Sequence, residues 1–257
     1  MKNQPDYELL ILPSGADVAR EGAARFAALA KAAIAQNGRF TVALSGGTTP
    51  RDLFQILAAP PYHDSLDWSK VYIFFGDERT VPPGDPDSNF RMADETLLSQ
   101  VPIPPENIFR MRGEAPPAEA AAEYARQLRD FFHLSQAGGA SPESYPRLDL
   151  VLLGMGPDGH TASLFPGTAA LQERSKPVTH NFVSKLNTNR LTLTAPAINR
   201  AANIIFLVAG DSKAPALKEV LEGEYQPQVY PSQLIRPSQG QLIFLVDQAA
   251  AAQLKKG

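Results

Sequence analysis

The sequence predicts an α/β fold: a mostly parallel sheet flanked by helices. Two observations carry that expectation. Short runs of Val, Ile, Leu and Phe recur along the 257 residues with little polar interruption. That is how strands covered on both faces read. Between them lie longer stretches with apolar residues at helical spacing, so strand and helix alternate.

The near-continuous apolar runs predict strands at 40–44, 71–75, 148–153, 203–208 and 241–246. Arg190-Leu191-Thr192-Leu193-Thr194 alternates and predicts a strand with one polar face. Helices are expected at 16–36, 50–58, 89–99, 117–133 and 212–221. In the first of these, Val18, Phe26, Leu29 and Ala33 fall near one face, and Glu21 and Arg25 have the spacing of a favourable i,i+4 pair. Gly, Ser and Pro dominate 136–146, which reads as a surface loop. No internal repeat or linker interrupts the pattern. One domain over 1–257 is expected, with a small subdomain near 165–189.

Bulk properties exclude several function classes. The 24 Lys and Arg residues are balanced by 27 Asp and Glu, and neither end carries a long basic run, so no nucleic-acid partner is expected. There is no cysteine, which rules out disulfides, thiolate metal sites and a cysteine nucleophile. Met1-Lys2-Asn3-Gln4-Pro5-Asp6 lacks the apolar core of a signal peptide. The Ala-rich stretch 16–35 carries Arg20, Glu21, Arg25 and Lys31, and so reads as a soluble helix, not a membrane span. A cytoplasmic protein is expected, a monomer or small homo-oligomer with no membrane partner.

Ligands of open parallel sheets bind beyond the carboxyl ends of the strands. Four expected strands end in polar, glycine-bearing segments: Ser45-Gly46-Gly47-Thr48-Thr49-Pro50, Gly76-Asp77-Glu78-Arg79, 154–160, and Ala209-Gly210-Asp211-Ser212-Lys213. Parallel strands would set all four along one edge. In the first, two glycines free the backbone, Thr49 can cap the next helix, and Pro50 fits its first position, which makes an anion site. Its glycine spacing matches neither the dinucleotide nor the P-loop fingerprint, so a plain tight turn fits the loop alone equally well.

Arg79, Arg190 and Lys213 are candidate partners for a phosphate or carboxylate. Arg190 taken alone reads as a solvated charge. Asp77 and Glu78 could serve as general bases, as metal ligands or in a local ion cluster with Arg79. Being consecutive, their side chains diverge in an extended segment, so at most one faces a cleft. His160 is the strongest catalytic candidate. It follows a buried strand and a double-glycine loop, with Asp158 beside it. A neutral imidazole titrates near pH ~6.5 and can take a proton at cellular pH. His63, His133 and His180 read as surface residues. There is no Gly-x-Ser-x-Gly elbow, and no His pair has metal-ligand spacing, so neither a serine nucleophile nor a metal or other cofactor is expected.

Several segments taken together resemble the 6-phosphogluconolactonase family. They are 44–50, then Phe75-Gly76-Asp77-Glu78-Arg79-Thr80-Val81 with Asp87-Ser88-Asn89, then Leu153-Gly154-Met155-Gly156-Pro157-Asp158-Gly159-His160-Thr161-Ala162-Ser163-Leu164-Phe165-Pro166-Gly167, then 190–194, and finally Gly210-Asp211-Ser212-Lys213. The order matches over about 41–247. The resemblance implies a Rossmann-like fold shared with glucosamine-6-phosphate deaminases and ribose-5-phosphate isomerases. It also implies hydrolysis of 6-phospho-D-glucono-1,5-lactone, the second step of the oxidative pentose phosphate pathway. His160 would then activate a water, and Asp158 would orient or tune His160. Ser45, Gly46, Gly47, Thr48, Arg79, Arg190 and Lys213 would hold phosphate and sugar oxygens, with Asp77 and Gly156 in the same substrate site. One departure concerns the shape of a cleft wall: many members are proline-rich before the Arg190 strand, where this chain reads Ser184-Lys185-Leu186-Asn187-Thr188-Asn189.

Two rivals are weighed against this reading. Deaminases follow Asp-Gly-His with Phe-Asn-Glu-Pro, whose Glu works with the His to open a sugar ring. Here the stretch is Ser163-Leu164-Phe165-Pro166, and Phe165 cannot relay a proton. A non-enzymatic sugar-phosphate sensor would need an attached DNA-binding module, and only one helix is expected before the first strand at Phe40.

Overall fold

Strands buried on both faces must pair along their backbone edges: four of the five apolar runs pair with a strand on both sides, and 71–75 stands at the margin of the sheet. The computed structural model describes residues 6–134 and 142–255. Its strands are β1 (Glu8–Leu12), β2 (Phe40–Leu44), β3 (Val71–Phe75), β4 (Asp77–Arg79), β5 (Leu150–Gly154), β6 (Val178–Val183), β7 (Thr188–Leu193), β8 (Asn203–Val208) and β9 (Gln241–Asp247). Six of them form one parallel sheet in the order β1-β9-β8-β5-β2-β3. The other three form a small antiparallel sheet, β4-β7-β6.

The helices are α1 (Gly15–Asn37), α2 (Thr48–Leu57), α3 (Tyr62–Ser65), α4 (Asn89–Ala93), α5 (Pro117–Phe132), α6 (Ala195–Asn199) and α7 (Ala214–Glu222). Register places them on both faces of the large sheet. Phe40 pairs with Val71, so Phe74, three residues further on, points to the opposite face. Phe26 of α1 meets Phe40 edge-on at 5.2 Å, whereas Phe131 of α5 meets Phe74 at 5.2 Å. Helices α1 and α5 therefore cover opposite faces, and the expected architecture is the observed one.

The boundaries hold several corrections. Helix α2 begins at Thr48 with Gly47 as its N-cap, so Thr49 is not the cap and Pro50 is the third helical residue. Pro50 is tolerated there because the first turn has N–H groups to spare. The helix expected at 89–99 is α4 followed by a wider π turn at Asp94–Leu98. The strand expected from Leu148 starts at Leu150. Asp149 instead turns its carboxylate onto the Thr41 N–H and hydroxyl at 2.8 and 2.7 Å, tying β5 to β2. Strands β1, β4 and β6 were not expected. Most of the 136–146 loop lies outside the described residues; within them, Pro142–Ser144 forms a single 3₁₀ turn.

Gly76 is where the chain passes from one sheet to the other. Its N–H donates to Leu44 in the large sheet, and its carbonyl accepts from Leu193 at the end of β7, each at 2.8 Å. The small sheet is thus held against the carboxyl edge of the large one. Below that junction, Tyr124 of α5 is buried, and its hydroxyl accepts the Phe75 N–H at 2.8 Å. The same hydroxyl lies 3.3 Å from the carbonyls of Phe75 and Phe109, so its proton also has an acceptor. Removing it in Tyr124→Phe strands a buried N–H. We expect a loss of about 1–3 kcal/mol in unfolding free energy. Urea denaturation measures this, and an unchanged midpoint would show that the hydroxyl carries no stability.

Candidate active site

Strands β8, β5, β2 and β3 are neighbours in the parallel sheet, so the four glycine-bearing loops leave from one stretch of its edge. They surround a cleft of about 330 Å³. Ten of the eleven residues expected to act together line it: Ser45, Gly46, Gly47, Thr48, Asp77, Arg79, Gly156, His160, Arg190 and Lys213. The eleventh, Asp158, stands behind His160.

The loop after β5 doubles back tightly. The Gly156 N–H donates to the His160 carbonyl at 2.9 Å, and the Gly159 N–H donates to Gly156 at 3.0 Å. Gly159 has φ +73°, a left-handed conformation that suits glycine. A Cβ on Gly156 would stand 2.0 Å from His160 Nδ1, so only glycine leaves room for the ring. Asp158 Oδ1 meets His160 Nδ1 at 2.5 Å and also accepts the His160 backbone N–H at 3.2 Å. With Nδ1 engaged by a carboxylate, Nε2 is the ring nitrogen left to accept a proton. The imidazole stacks on Phe165, with centroids 4.1 Å apart and planes at 23°. Burial pushes the Asp158 carboxyl up, but its bonds from His160 and Lys185 outweigh this and hold it below the usual carboxylate range.

The cations converge on the opposite wall. Arg79 and Arg190 are direct cross-strand partners of β4 and β7. Like charges facing one another destabilise a strand pair unless an anion joins them. Burial lowers the Arg190 pKa, and the Arg79 charge lowers it further. The Lys213 pKa is also lowered by burial, with a smaller opposing contribution from Asp158. Among the described residues, none of the three forms an ion pair with a carboxylate. Arg79 donates instead to the Asp87 carbonyl. Lys213 closes the turn Asp211–Lys213, whose Gly210 N–H is held by both oxygens of Asp247 at the end of β9.

Asp77 and Glu78 diverge, as their adjacency predicts. Asp77 faces the cleft, accepting from Ser163 Oγ at 2.7 Å and Asn89 Nδ2 at 3.3 Å. Glu78 points away and is neither base nor ligand. Its Oε1 accepts the N–H groups of Arg79 and Asn89, and its Oε2 those of Phe90 and the Ser88 hydroxyl. It caps α4. Burial raises its pKa, and the three backbone N–H groups pull it back. Its work is to fix Asn89, whose Oδ1 lies 1.9 Å from where a Cβ on Gly46 would be. Among the described residues, no group of three or more His, Asp or Glu side chains is placed to hold a metal ion.

Sequence reading missed Asn89, Ser163, Phe165 and Lys185 as parts of this site. The first three line the cleft. Asn89 and Ser163 stand in the segments that resemble the family, and Phe165 was weighed there only as the residue in place of a glutamate. Lys185 carries no local signal: it reaches Asp158 from 27 residues away, across the β6–β7 turn.

Residues 13–244 match the family model described as glucosamine-6-phosphate isomerases/6-phosphogluconolactonase. The chain belongs to that family. A 6-phosphogluconolactonase from a Nostoc species is 47% identical over 223 residues, 86% of this chain and 88% of the relative. One from a Synechocystis species is 46% identical over 224 residues, covering 87% and 88%. Among solved structures, the 6-phosphogluconolactonase of Trypanosoma cruzi superposes with a TM-score of 0.87 at 27% identity, covering 98% of each chain.

Two outcomes follow for this member of the glucosamine-6-phosphate isomerase/6-phosphogluconolactonase family. Glu78→Gln replaces one acceptor with a donor facing buried N–H groups, and should cost about 1–3 kcal/mol. Chemical denaturation reads the loss, and a stable variant would remove Glu78 from its capping role. Inorganic phosphate should raise the melting temperature above that in chloride of equal ionic strength. The expected rise is roughly 2–4 °C, the response of a chain this size to about 1 kcal/mol. Arg190→Ala should abolish most of it; an equal rise in the variant would argue against an anion held between the arginines.

Proposed function

We propose that the chain hydrolyses 6-phospho-D-glucono-1,5-lactone to 6-phospho-D-gluconate, the second step of the oxidative pentose phosphate pathway. One observation carries this reading furthest. His160, paired through Nδ1 with Asp158, opens onto the same cleft as three cations free of carboxylate ion pairs among the described residues. A base and an anion clamp are what a phosphorylated lactone needs. The relatives from Nostoc and Synechocystis species, at 46–47% identity, are named for this reaction.

His160 Nε2 takes a proton from a water as its oxygen attacks the lactone carbonyl. The tetrahedral intermediate collapses and breaks the bond to the ring oxygen, which takes the proton back from the imidazolium. The product is an open-chain carboxylic acid with a new hydroxyl, and the acid releases its proton to solvent to become the carboxylate. Asp158, ionised throughout, offsets the transient positive charge on the ring. Arg79, Arg190 and Lys213 hold the phosphate and sugar oxygens; Ser45 to Thr48, Asp77 and Gly156 complete the wall. Phe165 stacks on the imidazole at the position where a ring-opening deaminase would place a glutamate. It can align the base but cannot pass a proton. The reading includes a cytoplasmic location and a monomer or small homo-oligomer, which cell fractionation and sedimentation would check.

The decisive assay makes the lactone in place with glucose-6-phosphate dehydrogenase and follows its disappearance with and without the protein. The lactone also opens spontaneously, so no acceleration over that background would sink the proposal. His160→Ala should slow turnover by roughly 10²–10⁴-fold, the usual worth of a positioned general base. Near-normal turnover would remove His160 from that role. Arg79→Ala and Lys213→Ala should mainly raise KM for the phosphorylated lactone.

A further inference from the structure

The β6–β7 hairpin ends in the turn Ser184–Leu186, closed by Asn187 in a left-handed conformation at φ +47°. This tip carries Lys185 over the loop that holds the dyad. Lys185 Nζ contacts Asp158 Oδ2, while Oδ1 of the same carboxylate holds His160. The ammonium also lies 4.8 Å from the centroid of the Phe165 ring, the ring on which the imidazole stacks. One carboxylate and one aromatic ring are thus shared between a permanent cation and a group that becomes a cation only when it takes a proton.

Sharing has an electrostatic consequence. An undivided Asp158 charge would favour the imidazolium. A lysine on its outer oxygen spends part of that charge and adds a repulsion of its own. We infer that Lys185 is a positioning residue for the reaction, one that acts through Asp158 to keep the His160 ring in its neutral, proton-accepting form to lower pH. The inference rests on His160 being the base.

Other charged and titratable groups face the pair, and they bound the effect. Lys213, on the turn after β8, acts on Asp158 as a second cation. Tyr230 packs against Gly159, between the two dyad residues. Asp77, Arg79 and Arg190 stand on the same cleft wall as one another. Lys185 differs from all of these in touching the carboxylate itself. Its side chain is 51% exposed, so replacing it removes the charge without opening a core.

The test reads the ring directly and needs no substrate. The protein holds four histidines, and the signals of His160 are those missing from the ring-nitrogen NMR spectrum of His160→Gln. In Lys185→Met, which keeps the apolar stem, the pH at which those signals switch should move upward by roughly 0.5–1 in pH, the effect of removing one charge at a half-solvated site. Lys185→Arg should restore the wild-type value, and Lys185→Glu should move it further up. An unmoved or lowered switching pH in Lys185→Met, with the fold intact by circular dichroism, would overturn the inference. The acid limb of kcat against pH should move in the same direction. If the wild-type protein fails to accelerate lactone opening, the functional proposal fails alone, because the ring titration still decides the role of Lys185.

Discussion

Parallel pairing of β8, β5, β2 and β3 forces four chain exits onto one edge of the sheet. Everything else in the cleft depends on that constraint. A strand cannot reverse at its end and still pair in parallel with its neighbour, so each must leave through a loop and return by a helix. The loops are short and polar, and they adjoin because their strands adjoin. The small antiparallel sheet then closes the edge from the side. Its strand β4 follows β3 after a single residue, so the cation wall is fixed to the sheet that carries the base.

Three carboxylates near this edge have different tasks, set by where the backbone points them. Asp77 is inside the cleft, held by Ser163 and Asn89. Glu78 is one residue on, and its side chain leaves in the opposite direction to anchor a helix. Asp158 is neither in the cleft nor in the core: one oxygen serves the imidazole and the other a lysine. Their chemistry as isolated side chains is nearly identical. Direction and desolvation make one a cleft wall, one a cap and one the partner of a base.

Much of this was legible in the sequence because burial leaves a mark on composition. Five strands of the large sheet were visible as apolar runs, since each is covered on both faces. The edge strand β1 was not read as a strand, although its Leu9-Leu10-Ile11-Leu12 run is equally apolar. Strand β4 is three charged residues long, and β6 opens Val178-Thr179-His180-Asn181, with one apolar residue in four; neither carries enough apolar surface to announce itself. Ten of the residues expected at one site do line one cleft: nine follow strand ends of the large sheet, and Arg190 reaches it from within β7, opposite Arg79. Lys185 was beyond reach. Its partner is fixed by where a hairpin tip lands, and nothing local encodes that. The metal or general-base alternatives weighed for Glu78 failed for a related reason: a helix that begins eleven residues later claims its oxygens.

The close approach of Asn89 to Gly46 joins two segments that lie 43 positions apart in the chain. Asn89 cannot retreat, since its own N–H is bound by Glu78 and its amide by Asp77. A side chain could appear at position 46 only if position 89 shrank in the same step, or if the helix carrying it were released. Among relatives, these two sites should therefore drift as a coupled pair. An engineer who reshapes the glycine loop to admit a bulkier sugar must redesign the start of α4 with it.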